Sequence, residues 1–163
     1  MSLSIAVPEP SADFDFFFGR WDVAHRRLKT RLAGDDRWES FAGVCETWPI
    51  LGGFANMDDN VLDLPSGAYR AATLRTFDPA EGIWSIWWID SRSPQTLDTP
   101  VRGRFENGVG LFLAEDILEG RPIRVRFIWS EITATAATWA QAFSEDGGVN
   151  WETNWEMRFS RRA

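Results

Sequence analysis

From Gly19 onward, apolar and polar residues alternate in short runs, and almost no segment keeps a helical period over three turns. The runs predict strands near 20–31, 37–48, 54–63, 69–77, 83–90, 101–106, 110–118, 123–132, 134–143 and 151–160. Between them stand "LAGDD", "PILGG", "LPSG", "DPAEG", "ENG", "LEGRP" and "SEDGGVN". Each supplies Gly, Asn or Pro where a hairpin needs a positive or a preset φ. Only "SRSPQTLDTP" at 91–100 is too long for a tight hairpin. Ahead of the first strand, "PSADFDFFFG" predicts a short helix, with Ser11 as its cap, Phe14, Phe17 and Phe18 on one face, and Gly19 at its end.

Ten consecutive hairpin-linked strands must manage two sheet edges, and closing the sheet on itself removes both. The expected fold is therefore all-β: a single antiparallel up-and-down β-barrel of about 8–10 strands, with the short N-terminal helix plugging one end. A two-sheet sandwich is the alternative, although it would ask for longer crossing connections. Residues 1–10, with two prolines, are read as a flexible N-terminal arm, and 11–163 as the one barrel domain.

Composition narrows the job. Ten tryptophans and twelve phenylalanines accompany a single tyrosine. Each buried aromatic removes about 150–250 Å² from water, so the surplus beyond a core can wall a cavity or form a subunit contact. A net charge of −7 argues against a nucleic-acid partner, and the basic run "RRLKTR" at 26–31 reads as a solvated strand face. Cys45 stands alone, which leaves no intrachain disulfide and no cysteine metal cluster. The first residues lack a basic n-region, and no run approaches the apolar length of a membrane helix. A soluble cytoplasmic protein is the expectation.

Three motifs carry a resemblance. Phe16-Phe17-Phe18-Gly19-Arg20-Trp21, the Asp78-Pro79 to Gly82 and Trp84 hairpin, and Ser144 to Trp151 follow the order seen in an uncharacterised bacterial family of barrels. The opening Gly-x-Trp also resembles the start of calycin barrels, the lipocalin and fatty-acid-binding group. That resemblance implies a lipocalin-like domain in which Gly19 and Trp21 close the barrel base and a final-strand arginine packs across the indole. Arg158 is the first candidate for that arginine and Arg161 the second. The contact would be a cation–π stack of roughly 0.5–2 kcal/mol. "SEDGGVNW" is similar to the Asp-box hairpin of sialidase propellers, which implies turn and core roles for Asp146 and Trp151. Haem-binding barrels of this broad shape place a proximal histidine near the chain's end, where this chain has none. No metal or other cofactor is expected, since His25 alone remains to hold iron.

Strand parity supplies the candidate site. If Trp21 points inward, Val23, His25 and Arg27 follow it, while Asn56, Asp58 and Asn60 share one face of the third strand. The candidate ligand-binding residues are His25, Arg27, Asn56, Asp58, Trp87 and Trp139. Such an interior suits an amphipathic molecule with an anionic or polar head. Unpaired buried charges would cost several kcal/mol, so these must meet each other, water or ligand. A register slip of one would put His25 outside instead.

The leading reading is a non-enzymatic barrel binding a small, largely apolar molecule. A filled barrel acting as an interaction or homodimer module is one alternative. The other is a small-molecule enzyme using His25 as general acid/base beside Asp58 or Glu46. No Gly-x-Ser-x-Gly turn or other nucleophile motif is present.

Overall fold

A computed structural model describes residues 7–163. Of the expected arm at 1–10, residues 1–6 lie outside the described residues, and 7–10 are exposed. Ten strands follow: β1 (Gly19–Leu28), β2 (Trp38–Ile50), β3 (Ala55–Leu64), β4 (Gly67–Asp78), β5 (Ile83–Asp90), β6 (Val101–Glu106), β7 (Val109–Leu118), β8 (Arg121–Ser130), β9 (Ala136–Ser144) and β10 (Glu152–Arg161). Each pairs antiparallel with its sequence neighbours, and β1 with β10 closes the ring, so the barrel is up-and-down with no free edge. No helix among the described residues is long and apolar enough to cross a membrane.

The expected plug helix is a single 3-10 turn over Asp15–Phe17, and Phe18 is already extended. A tighter helix brings side chains three apart into line. Phe14 and Phe17 therefore enter the barrel together, both buried. Ser11 does not cap this turn: the N-cap is Phe14, without a side-chain bond, and Ser11 Oγ instead accepts from the Asp13 amide. Phe14 meets Trp84 and Phe105 edge-on, and Phe17 meets Trp129 and Phe159. Such pairs add about 0.5–1.5 kcal/mol each beyond area burial.

Donors tie the plug to the wall. The Trp21 indole N–H donates to Phe17 O at 2.9 Å, and that of Trp84 to Asp13 Oδ2 at 3.0 Å. The guanidinium of Arg161 stacks 4.2 Å from the Trp21 ring and donates to the carbonyls of Phe16, Phe18 and Ala134. Arg158 does not take this place. The β1–β10 register sets Arg161 opposite Trp21 and Arg158 opposite Ala24, on the exposed face. Gly19 is required here: its φ is +114°, and a Cβ would lie 2.8 Å from Arg161 Nη1.

The "SEDGGVNW" hairpin is a structural turn. Asp146 Oδ1 accepts from the amides of Asn150 and Val149, at 2.8 and 3.1 Å, and the bonds from the Asn150 amide and side chain and from Ser144 hold its carboxyl down to about 2. Trp151 is half-buried beneath Arg126, outside the core.

Candidate ligand site at the open end of the barrel

β1 runs from the plugged end, at Trp21, toward the end formed by the 29–37, 91–100 and 145–151 connections. Its alternation holds as expected: Trp21, Val23, His25 and Arg27 are buried, and the residues between them are exposed. Along β1 the inward residues therefore change from Trp21 and Val23 at the bottom to His25 and Arg27 toward the mouth.

Midway stands a buried ion pair. Arg75 Nη2 donates to Asp58 Oδ2 at 2.5 Å and Nη1 to Asn56 Oδ1 at 3.0 Å. Asp58 Oδ1 also accepts from Asn60 Nδ2 and the Thr73 amide. The Arg75 guanidinium carbon lies 5.2 Å from the ring centres of both Phe14 and Phe17, so the plug roofs the pair from below. Both carboxylate oxygens are used, as a buried charge requires. Cys45, near this layer, has its thiol pushed well up, by burial first and by the Asp58 charge second. Beside the pair is a void of about 30 Å³, space for roughly two waters.

Above it the barrel opens into a cup of about 430 Å³. Trp88, Phe127 and Trp139 line both the void and the cup, and Trp155 and Phe143 complete the aromatic wall. Arg27, Lys29, Arg31 and Arg92 give its rim positive charge against Asp90, Asp98 and Glu119. Arg27 is 7% exposed. Its guanidinium lies over Trp155, at 5.0 Å, and Phe41, at 5.4 Å. It donates to Tyr69 Oη at 3.2 Å and reaches Glu39 only at 3.5 Å, while its Nε is buried without a partner. Arg92, by contrast, forks onto Asp90. On the acidic side, burial and the neighbouring Asp116 and Asp90 push the Asp98 carboxyl up.

His25 sits just beneath the wall, 4% exposed. Its ring stacks on Phe41 at 4.6 Å, and Nδ1 accepts the Trp155 indole N–H at 3.1 Å, which leaves the proton on Nε2. Burial, and then the Arg27 charge, lower its pKa to about 4. Gly43 makes room for the imidazole: a Cβ there would lie 2.8 Å from His25 Nε2 and 2.7 Å from Val61 O.

Of the expected ligand-binding residues, Arg27 and Trp139 line the cup. His25 supports the cup wall through Trp155. Asn56 and Asp58 lie deeper, both engaged by Arg75. Trp87 does not join them. Trp84 and Ile86 are buried and Trp88 lines the void, so parity turns Trp87 to the outer face, where it pairs across strands with Leu74. Glu46 is also outside, bonded to Arg20, and cannot serve His25. Sequence reasoning missed Trp88, Arg31 and Arg75. The two-residue Leu64–Gly67 hairpin sets Asn56 opposite Arg75, so the turn itself held that signal.

A larger hollow of about 760 Å³ lies over the outer faces of β1, β2 and β10. Two of its charged residues, Arg26 and Glu156, already bond each other at 3.1 Å. Comparison with protein-family models and with curated proteins finds no match to this chain.

Proposed function

We propose that this barrel binds a small, largely apolar molecule in its open-end cup and does not transform it. The observation that carries this reading is the aromatic-walled cup of about 430 Å³, within the range typical of small-molecule sites. The closed base, the plug and the Trp21–Arg161 stack support placing the chain with the calycin barrels it resembles. Binding is favoured over acid/base catalysis because His25 has Nδ1 committed to Trp155 and a lowered pKa, with no carboxylate bonded to it. Native mass spectrometry of the purified protein, with tryptophan fluorescence during ligand titration, tests the reading. The expected result is a retained or added small molecule and a change in emission that Trp139→Ala abolishes. An unchanged mass and emission across a library of small apolar compounds would overturn it.

A second reading, pairing with another copy of this chain, rests on the outer face of β2–β5. There Trp48, Met57, Leu74 and Trp87 form one cross-strand row, with Trp48 39% exposed. Two copies of a chain of net charge −7 meet most easily where charge is neutralised. Around this row charges come as bonded pairs, Arg20–Glu46, Arg70–Asp59 and Arg102–Glu81. Sedimentation velocity should then show a dimer that Leu74→Glu dissociates, and a monomer at all concentrations would dismiss it.

A further inference from the structure

We infer that the cup's ligand is a compact, planar aromatic anion, with its acidic group seated on the Nε–Nη2 edge of Arg27 and its ring against Trp139 and Trp155. This rests on the ligand-binding reading above and names the class that reading leaves open.

Three observations converge. The first is the state of Arg27. Its Nη1 is served by Tyr69, but the neighbouring edge has no partner at Nε and only the 3.5 Å contact to Glu39 at Nη2. A side-on Nε–Nη2 fork matches a carboxylate or related oxyanion with two parallel bonds. The Nε of Arg75 is unbonded as well, but Arg75 has Asp58 at 2.5 Å, so it is Arg27, with its carboxylate contact at 3.5 Å, that stays open to an oxyanion.

The second is the surrounding charge. Arg31 stands on the same rim, and among the described residues no carboxylate lies within ion-pair distance of it. Burial, with the like charges of Arg27 and Arg92, disfavours its charged form. An added negative charge relieves that repulsion.

The third is shape. Trp88 and Trp139 both meet Trp155 nearly edge-on, at 5.6 and 5.7 Å, and Phe127 meets Trp139 at 4.9 Å. Walls that meet at right angles leave ring faces for a flat guest to stack on. Beneath them the void of about 30 Å³ gives an acyl tail no channel, because Phe17, Trp129 and Phe159 fill the bore.

The test is isothermal titration calorimetry of the intact protein with naphthoate, its methyl ester and laurate. The inference expects naphthoate to bind at least about tenfold more tightly than the ester and more tightly than laurate. Arg27→Gln should erase the acid-over-ester preference without abolishing ester binding, and Arg31→Gln, on the half-buried rim, should reduce the preference severalfold. Should Arg27→Gln fail to fold, the wild-type comparison and Arg31→Gln decide alone. Equal binding of acid and ester would overturn the anion assignment while leaving the cup reading intact. Tighter binding of laurate would overturn the compact ring. No binding by any of the three would count against both this inference and the reading beneath it.

Discussion

Arg75 and Arg27 both carry a guanidinium into the same barrel, and their surroundings answer it differently. Arg75 is matched by the carboxylate of Asp58 and the amide of Asn56, and the phenylalanine plug covers it. Arg27, nearer the mouth, has a tyrosine hydroxyl and only a distant glutamate, while both arginines leave their Nε unbonded. The contrast teaches where structure ends and binding begins. A guanidinium matched by a close carboxylate belongs to the core, whereas one that lines the cup with its carboxylate 3.5 Å off faces a space that something else can fill.

The largest break in this comparison comes from Asp58→Ala, which leaves the Arg75 charge buried alone and should cost about 3–5 kcal/mol of unfolding free energy by urea denaturation. Acid acts next. Between about 4 and the ordinary histidine value of 6.5, the unfolded chain holds a proton that folded His25 refuses. Stability is therefore full above 6.5 and falls as the pH drops toward 4, by up to about 3 kcal/mol at roughly 1.4 kcal/mol per pH unit. His25→Phe should flatten that part of a pH–stability curve. Gly43→Ala presses on both His25 and the Val61 carbonyl and should cost about 1–3 kcal/mol. Smallest is Arg27→Gln, which forfeits stacking worth about 1 kcal/mol and lets the His25 pKa rise by removing a neighbouring positive charge. An Arg27 variant as damaging as Asp58→Ala would erase the distinction between the two arginines.

Much of this is legible in the sequence. Period-two alternation placed His25, Arg27 and Asp58 on inward faces, because one residue of slip would have exposed Trp21 and Val23 with them. The bare outline stops where both faces of a strand are apolar. In "IWSIWWID" nothing local separates Trp87 from Trp88, and only pairing with β4 decides. It stops again where closure sets register: no hairpin joins β1 to β10, so the choice between Arg158 and Arg161 depended on how the ring met. The plug's phenylalanines share a face in either helical form, so the sequence alone predicts only a helix, and the tighter turn wins when residues three apart must enter one bore. Partnership was the hardest property to see. Nothing local in the sequence shows that Asp58 is bonded by Arg75, seventeen residues on, and so is not free to serve His25.

A crystal structure of the protein grown with naphthoate tests the central claim most directly. The account predicts density for one molecule in the cup, its ring against Trp139 and Trp155 and its carboxylate on the Nε–Nη2 edge of Arg27, with the Asp58–Arg75 pair below unchanged. Density confined to the outer surface, or a cup closed by its own side chains, would contradict it.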